Sequence, residues 1–483
     1  MSTGHWSVHQ FGLERPWPEL PGEFGIAGDV GSWARRLGVR HGQWFLLGPN
    51  GFPDPRVNQF LASARFGVLA ANTRRAYVHS LAMWMNFLES RSCAWWQADD
   101  EHAEAFEFWR LTDPANLATV RTSTFAKDVA ACKKFYGWAA QRYTDVLDVF
   151  AEVDFPAARR EASVKWLDPA AWARWRDVGL RGRELSGRHD RSWRGRNEQR
   201  DAAFADGLYG TALRLTEWAS VVLPELPPLE AGRGYYTCEL AGKCAKGEYG
   251  HPYWIPRRAL SAVWSYVEGA RARAVRHAQA AGTYERLPGR MVVGTGKRRG
   301  SVVIPDEKAG AGVVRDWVMV PPLLRRRMFR QTAAGLEPVW LWLNEDGVPR
   351  DPHGWHHTFE TANQRIAAQG LDNFHVTAHM ARHSAALRWF SVGKLFYAKQ
   401  IGHLDEEESR DFRDQFGDTW DLVQTVLGHR RVETTRLVYL EPFRSLSVEV
   451  LLAHVEGFDI DRFVADAMAT HPRVISDPVG AAR

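Results

Sequence analysis

The sequence predicts a mainly helical protein of two domains, in which a small all-helical domain precedes a larger mixed domain with a small antiparallel sheet. Amphipathic segments at 71–91 and 122–141 have the apolar spacing of helices. A proline-containing stretch near residue 160 is typical of a hinge. Two short strand-like segments, 234–240 and 248–256, then interrupt an otherwise helical pattern. With 483 residues, the chain is long enough for two or three domains.

Composition excludes several classes of protein. Apolar residues make up 45% of the chain and charged residues 25%, and no run approaches the roughly 20 apolar residues of a membrane span. The first residues lack the pattern of a signal peptide, so we expect a cytoplasmic protein with no membrane partner. The four cysteines show neither a C-x-x-C pair nor a matching histidine spacing, which predicts no disulfide framework and no structural zinc site. No metal, nucleotide or other cofactor is expected.

The first 158 residues divide into an arm and a helical domain. Residues 1–55 are rich in Gly, Pro and Trp without periodicity and are expected to form an irregular N-terminal arm. Residues 56–158 are expected to form the helical domain, with Asn72 or Thr73 as the cap of its first clear helix. Each of its two clear helices has an apolar stripe: Tyr77, Leu81, Trp84, Met85 and Leu88 in one, and Phe125, Val129, Cys132, Tyr136 and Ala139 in the other.

The larger domain is expected to span residues 159–483 and to begin with a helix capped by Asp168, which Pro169 follows at the first turn. A further helix is predicted to continue until Pro224, before the two short strands. Beyond a helix at 259–278, the sequence predicts an irregular basic stretch from about 280 to 335.

Four separate places in the larger domain carry groups that one reaction would need together. They are Arg214 with Glu217 in "GTALRLTE", the turn lysines in "GKCAK", the pair in "HMARHS", and "LGHRRVETTRLVY". Each has an ordinary explanation when taken alone, because structural ion pairs are common and turn lysines are usually solvated. Arg214 is predicted to lie inside a helix, with Glu217 on the same face.

Together these groups suit chemistry on a phosphodiester. Planar guanidinium groups bind phosphate in a bidentate manner and neutralise the charge that develops in its transition state. A tyrosine hydroxyl can attack such a phosphate when a histidine assists loss of its proton and an acid protonates the departing 5′-oxygen. The bond energy is then kept in a phosphotyrosine ester, so rejoining needs no ATP.

These four stretches, in this order, resemble the motifs of the tyrosine recombinase (phage integrase) family, and "NTRRAYVHSLAMWMNFL" with "KDVAACKKFYGWA" resembles its helical core-binding domain. The resemblance covers roughly residues 55–450. It implies a SAM-like core-binding domain at 56–158 and, at 159–483, a catalytic domain with the DNA breaking-rejoining enzyme fold. It further implies a site-specific recombinase or integrase that acts through a 3′-phosphotyrosine intermediate.

The resemblance also assigns roles to individual residues. Arg214 and Arg382 would clamp the scissile phosphate, with His379 and His429 supporting them and the proton of the nucleophile. Tyr439 would be the nucleophile, whereas Glu217 would brace the clamp. Lys243 would be the general acid, with Lys246 as the alternative. The implied partners are double-stranded DNA, further copies of the chain in a tetrameric synapse, and accessory DNA-bending proteins.

The sequence departs from the family pattern between His379 and His429, which stand fifty positions apart. An acidic insertion near 404–421 accounts for much of the excess and is expected either to contact a basic surface of a neighbouring subunit or to be a solvated loop. An earlier Ile-Gly-His ends at His403, but no tyrosine follows it at the required distance. The segment after Tyr439 is expected to form a docking tail on an adjacent protomer or to pack within the chain.

Contacts with DNA outside the reaction centre are expected from basic helix faces. The helical domain offers Thr73, Arg74, Arg75, Lys127 and Lys134, and residues 181–200 add seven arginines against three acids. Solvated surface charge is the alternative explanation for each of these residues. Two other functions remain open, a type IB-like topoisomerase and a DNA-binding relative that has lost catalysis.

Overall fold

A computed structural model describes residues 4–12, 30–151, 165–296, 300–305 and 312–401, with the short pieces 407–408, 410, 423–424 and 474–479. The side chains of 391–401 are not part of this description. The chain divides into two compact units, Met1–Arg160 and Glu161–Arg483, which are described separately below.

The first unit is helical apart from one small sheet. Strands β1 and β2 pair antiparallel, with Val8 opposite Leu46, and Leu46 is fully buried in the core of the unit. Part of the segment that the sequence predicts to be irregular therefore has regular structure. The elements of this unit are β1 (Ser7–Gln10), α1 (Val30–Arg36), β2 (Trp44–Leu47), α2 (Pro55–Ala62), α3 (Ala64–Gly67), α4 (Ala71–Ser90), α5 (Asp100–Leu111) and α6 (Thr122–Ala139).

Helices α4 and α6 form the centre of the first unit, as their apolar stripes predict. Trp84 donates a hydrogen bond from its ring nitrogen to the hydroxyl oxygen of Tyr136 over 3.0 Å, and both side chains are fully buried. The predicted cap is wrong, because α4 begins at Ala71 and Ala70 occupies the cap position without a side-chain bond. Local sequence could not show this, since Asn72 and Thr73 are equally compatible with a first helical turn.

The second unit is mixed. Its predicted first cap is confirmed, because the Asp168 carboxylate accepts a hydrogen bond from the Ala171 amide over 2.7 Å and Pro169 opens the helix. The elements of this unit are β3 (Trp166–Leu167), α7 (Pro169–Arg181), α8 (Glu198–Thr211), α9 (Leu215–Ala219), β4 (Tyr235–Leu240), β5 (His251–Pro256), α10 (Arg257–Tyr266), α11 (Ala272–Ala280), α12 (Thr283–Arg286), β6 (Met291–Thr295), β7 (Ser301–Ile304), β8 (Val313–Asp316), α13 (Pro322–Arg325), β9 (Met328–Thr332), β10 (Gly335–Pro338), α14 (Gly354–Ala368), α15 (Ala378–Ile401) and β11 (Val474–Ile475).

The predicted small antiparallel sheet is confirmed as β4 and β5, which pair from Tyr235–Pro256 to Leu240–His251. The helix predicted to continue until Pro224 is interrupted instead. Helix α8 ends at Thr211, Ala212 adopts a left-handed backbone with φ 60°, and α9 begins at Leu215. This break has a functional consequence, because it places Arg214 at a helix start rather than inside a helix.

The stretch from about 280 to 335, predicted to be irregular, forms a five-stranded sheet in the order β10-β9-β6-β7-β8. The prediction failed because these strands have only four or five residues each and are partly exposed, so they lack a clear apolar alternation. The central pairing is parallel and joins Met291 to Met328, which are far apart in sequence. No local pattern can indicate such a pairing.

Residues 474–479 contact the first elements of the second unit. Strand β11 pairs parallel with β3, and Arg174 forms an ion pair with Asp477 at 2.9 Å. Nearly all of the acidic insertion and of the tail after Tyr439 lies outside the described residues, so the alternatives for both remain predictions. Among the helices of the described ranges, none has the length and apolar character that a bilayer crossing demands.

Candidate functional site

Arg214 stands at the start of α9, where the break after α8 turns the chain. Its backbone amide donates to Glu217 Oε2 over 2.8 Å, as in the returning half of a capping box. Its guanidinium Nη1 donates to Glu217 Oε1, also over 2.8 Å. The side chain of Arg214 keeps 28% of its surface exposed, against 1% for Glu217. Glu217 therefore holds both the backbone and the guanidinium of Arg214, while part of the side chain still reaches solvent.

Glu217 connects three stretches that are distant in sequence. Besides Arg214, its carboxylate faces Arg382 Nη1 of α15 at 3.7 Å and accepts a hydrogen bond from the Lys246 backbone amide over 3.2 Å. Burial alone would raise the pKa of Glu217, but Arg214 and Arg382 outweigh this effect and lower it. The carboxylate is therefore charged at neutral pH and organises the surrounding cations.

Arg382 and His379 lie in the first turns of α15, as their spacing predicts. Arg382 is almost completely buried, and its Nη1 donates to the Ala212 carbonyl oxygen over 2.6 Å. That carbonyl belongs to the left-handed residue at the end of α8. The break between α8 and α9 thus supplies a partner to each arginine, the Ala212 carbonyl to Arg382 and the Glu217 carboxylate to both.

His379 stands among positive charges. It is exposed at the level of the whole residue, yet its ring packs edge-on against the His383 ring with centroids 4.2 Å apart. Loss of solvation lowers its pKa, and the charges of Arg382, Arg214 and Lys246 lower it further. His379 is consequently neutral at pH 7, when its ring can both donate and accept a hydrogen bond.

Residues 241–250 join β4 to β5 and are called the lysine turn here. Lys243 Nζ pairs with Glu248 at 2.5 Å in an exposed position. Lys246 is exposed as well, but its amide is bound to Glu217 and its charge acts on His379. The structure therefore brings Lys246 to the arginine pair, whereas Lys243, the predicted general acid, is engaged by its own turn.

The two remaining predicted groups, His429 and Tyr439, lie outside the described residues. The predicted DNA contacts of the first unit lie on α4 and α6. Arg75 and Lys127 are exposed, whereas Thr73, Arg74 and Lys134 are half-buried. Their roles remain predictions.

The seven arginines of 181–200 do not form one uniform set. Arg200 is buried, and its Nη1 donates to the Leu343 carbonyl over 3.0 Å, so it is structural. Arg181 and Arg196 approach carboxylates at 3.4 and 3.0 Å. The other four, Arg183, Arg188, Arg191 and Arg194, are exposed.

Sequence reasoning missed two parts of the site, the Ala212 carbonyl and the Lys246 amide. Both are backbone groups, and neither carries a side-chain signal. The Gly-Thr-Ala run before Arg214 and the glycines around the lysine turn are the only local features that accompany them. Which carbonyl or amide meets which side chain is decided by packing of α15 and the lysine turn around α9.

The fold and the site define a mainly helical protein of two units, one of which holds two guanidinium groups around a single buried carboxylate. Such a site suits an anionic oxygen ligand. Residues 57–143 match the family described as phage integrase, N-terminal SAM-like domain. Within residues 57–143, this match confirms the resemblance of the helical domain to the phage integrase family.

Solved structures that the chain resembles include three complexes with DNA. The XerH site-specific recombinase bound to a palindromic difH substrate, post-cleavage, is 14% identical over 76% of each chain, with a TM-score of 0.42. The pre-cleavage XerH–difH complex is 13% identical over 84% of this chain and 89% of that one, with a TM-score of 0.41. The Tn1549 transposon integrase with transposon right-end DNA is 14% identical over 80% and 95%, with a TM-score of 0.38. No curated protein sequence matches the chain.

Proposed function

We propose that this protein is a site-specific DNA recombinase or integrase that cuts and rejoins duplex DNA through a 3′-phosphotyrosine intermediate. The observation that carries the proposal is the convergence of Arg214 and Arg382 on Glu217, from two elements far apart in sequence. The family match of residues 57–143 supports the same conclusion. Residues 56–158 would then be the core-binding domain and residues 159–483 the catalytic domain.

The arrangement of the two arginines suits the binding of a phosphate. Here two guanidinium groups and the Lys246 backbone amide converge on one buried carboxylate, and the Lys246 charge acts on the neighbouring His379. The guanidinium of Arg214 remains partly exposed, so it keeps donors for a second anion. A phosphodiester bound there would be neutralised by both arginines, most strongly when charge develops in its transition state.

In the proposed reaction, the hydroxyl oxygen of Tyr439 attacks phosphorus and the bond from phosphorus to the 5′-oxygen breaks. The phenol proton leaves towards a histidine, His379 or His429, while a lysine of the lysine turn gives a proton to the 5′-oxygen. The products are a 3′-phosphotyrosine and a free 5′-hydroxyl. Attack by a 5′-hydroxyl of a partner strand reverses these steps, so neither a metal ion nor a nucleotide is consumed.

Two lysines are candidates for the proton donor. The resemblance assigns this role to Lys243, whereas the contacts with Glu217 and His379 favour Lys246. A substrate with sulfur in place of the bridging 5′-oxygen separates them, because a thiolate leaves without protonation. Replacing the true donor with alanine should slow cleavage of ordinary DNA by roughly 100-fold and leave cleavage of the sulfur substrate nearly unchanged.

The proposal is tested with a nicked suicide DNA substrate, whose short cleaved fragment diffuses away and leaves the protein covalently attached. Wild type should form an adduct that survives denaturation, and Tyr439→Phe should form none. Tyr397→Phe is the matched control, because it removes the same hydroxyl from another tyrosine of the second unit and should leave the adduct intact. Arg382→Ala should also abolish the adduct.

Each other outcome has a definite meaning. Adducts in both wild type and Tyr439→Phe would show that another residue is the nucleophile. DNA binding without any adduct would indicate a relative that has lost catalysis. Relaxation of supercoiled DNA without a required site would indicate a topoisomerase of type IB character. Double-stranded DNA, a tetrameric synapse, accessory DNA-bending proteins and a cytoplasmic location all belong to the proposal.

A further inference from the structure

A further buried arginine, Arg325, lies in the connection between β8 and β9. Its side chain is 1% exposed, and it closes the segment from Trp317 to Arg325 that connects β8 to β9. Both Nη atoms bind Glu225, each over 2.8 Å. Within its own segment, Nη2 donates to the Trp317 carbonyl over 2.6 Å and Nε donates to the Val320 carbonyl over 2.9 Å. The guanidinium is thus fixed at every nitrogen.

Arg325 also contacts the end of α9, because its Nη1 donates to the Ser220 carbonyl over 3.1 Å. Ser220 is three positions beyond Glu217. The Val320 carbonyl that Arg325 binds also accepts a hydrogen bond from the Cys244 thiol over 3.8 Å. Burial raises the pKa of Cys244 to about 12, so the thiol keeps its proton.

These contacts form a closed circuit around the lysine turn. Glu217 and Ser220 lie on one stretch of backbone in and after α9. Arg325 bonds the carbonyls of Ser220 and Val320, and the Val320 carbonyl also contacts Cys244. Cys244 belongs to the lysine turn, whose Lys246 amide returns to Glu217 over 3.2 Å. The turn is therefore held at two points, at the Lys246 amide by Glu217 and at the Cys244 thiol by the Val320 carbonyl of the β8–β9 connection.

We propose that the β8–β9 connection is a positioning element for the lysine turn, and that Arg325 is the positioning residue that holds it in place. The inference rests on the proposed function, because it concerns the residue that protonates the departing 5′-oxygen. Arg325 touches no reacting atom. It fixes the Val320 carbonyl, which fixes Cys244, which in turn neighbours Lys243 and is two residues from Lys246.

Position matters here because proton transfer to a leaving group depends steeply on distance and direction. An error of about 1 Å in a catalytic group can cost on the order of 100-fold in rate. Lys246 is exposed and Lys243 partly exposed, and a lysine side chain has many rotamers, so the turn itself must supply the precision. A turn anchored at Cys244 and at Lys246 has little freedom to carry its lysines away from the phosphate.

Arg271 provides a matched control within the same unit. It is also buried, at 2% side-chain exposure, and its Nη1 binds Glu337 at 2.6 Å. Like Arg325, it donates to three backbone carbonyls, those of Pro338, Trp340 and Leu341. Val320, a carbonyl partner of Arg325, is bonded to Cys244 of the lysine turn, whereas among the described residues no partner of Arg271 is bonded to that turn. The two arginines thus share burial and chemistry and differ in whether they reach the proposed proton donor.

The test compares the full-length variants Arg325→Lys, Cys244→Ala, Cys244→Ser and Arg271→Lys on two suicide substrates, ordinary DNA and DNA with a bridging 5′-sulfur. Arg325→Lys and Cys244→Ala should cleave ordinary DNA roughly 10- to 100-fold more slowly than wild type, and should cleave the sulfur substrate at nearly the wild-type rate. Cys244→Ser keeps a donor and should be close to wild type. Arg271→Lys should lower the melting temperature but show no difference between substrates.

Equal slowing on both substrates, or slowing on neither, would overturn the proposal, because Arg325 would then be structural only. If Arg325→Lys fails to fold, the two cysteine variants decide the question. A failure of the proposed function has a different signature, since wild type itself would then form no adduct on either substrate.

Discussion

At the scale of single residues, Glu217 is the residue that connects the other groups of the candidate site. Its carboxylate is buried, and the groups around it come from α9, α15 and the lysine turn. A buried carboxylate is costly unless it is paired, and here the pairing is what assembles the site. The same carboxylate that brings the two arginines together is expected to keep them aimed at a bound phosphate.

Replacing Glu217 with glutamine should lower the free energy of unfolding by about 3 kcal/mol, because the buried guanidinium of Arg382 loses its counter-charge. Urea denaturation measures this loss. Glu248→Gln is the control, since the Glu248 side chain is 65% exposed and its pair with Lys243 should contribute less than about 1 kcal/mol. Equal losses in both variants would contradict the assignment of Glu217 as the buried centre.

The stabilities of wild type and Glu217→Gln should also depend differently on pH. The pKa of Glu217 is lowered in the folded protein, so the stability it contributes is present above its unfolded value near 4.5 and is lost as the pH falls through the folded value. The stability difference between wild type and Glu217→Gln should therefore shrink as the pH falls below about 4.5.

His379 reports on the charges at the site. Its pKa is lowered by loss of solvation and by Arg382, Arg214 and Lys246. Removing the Lys246 charge with alanine should raise the pKa of His379, and Lys243→Ala should raise it less, because Lys243 is already paired with Glu248. Titration of the ring protons by NMR measures both shifts. A larger shift in Lys243→Ala would place Lys243, not Lys246, beside the arginine pair.

At the scale of elements, the packing of α8 against α9 positions Arg214 and Glu217. Trp218 follows Glu217 in α9, is fully buried, and donates from its ring nitrogen to the Phe204 carbonyl of α8 over 3.0 Å. Gly207 of α8 lies directly beneath the ring, where an added Cβ would stand 2.3 Å from Cζ2 of Trp218. Glycine is required there because the ring occupies the space of a side chain.

Gly207→Ala should therefore displace Trp218 and with it the start of α9. The overpacking costs about 2 kcal/mol, and the better helix propensity of alanine returns up to about 1 kcal/mol, so a net loss is expected. Thermal unfolding measures the loss, and the suicide-substrate assay should show slower cleavage. Gly234→Ala is the control, since a Cβ at Gly234 meets nothing within 4 Å. An unchanged melting temperature in Gly207→Ala would show that the ring relocates freely.

The elements that the sequence predicted well are those with strong local signals. The stripes of α4 and α6 and the cap of α7 needed only helical spacing and an Asp-Pro start. The β4–β5 hairpin likewise followed from two short strands around a turn. The five-stranded sheet and the break at Ala212 were missed because one depends on a long-range parallel pairing and the other on a single left-handed alanine.

At the scale of the whole molecule, the net charge of +5 is small, so the proposed binding to DNA must depend on where the charges lie. The residues proposed to contact DNA in the first unit lie at the N-terminal end of α4 and on α6, where Lys127 is exposed and Lys134 is half-buried. Arg91 and Arg142 stand just beyond the C-terminal ends of the same two helices. Removing Lys127 and Lys134, or instead Arg91 and Arg142, changes the net charge by the same amount, so the two double variants can be compared directly.

The double variant Lys127→Ala with Lys134→Ala should bind duplex DNA more weakly and reduce the slope of log affinity against log salt by about 1.8, because two phosphate contacts are lost. Arg91→Ala with Arg142→Ala removes the same charge and should leave the slope nearly unchanged. Binding titrations at several salt concentrations measure both. Equal slopes for the two double variants would remove α6 from the DNA-binding surface.

The sequence by itself determined the helical character of the first domain, the hairpin that carries the lysines, and the identity of the groups suited to a phosphate. These follow from spacing and side-chain chemistry, which are local properties. Only the tertiary structure decided that Glu217 binds both Arg214 and Arg382, that the Lys246 amide also binds Glu217, and that Arg325 and Cys244 share the Val320 carbonyl. The reason is physical: a buried charge acquires partners from whichever backbone and side-chain groups packing brings to it, and sequence distance does not govern that choice.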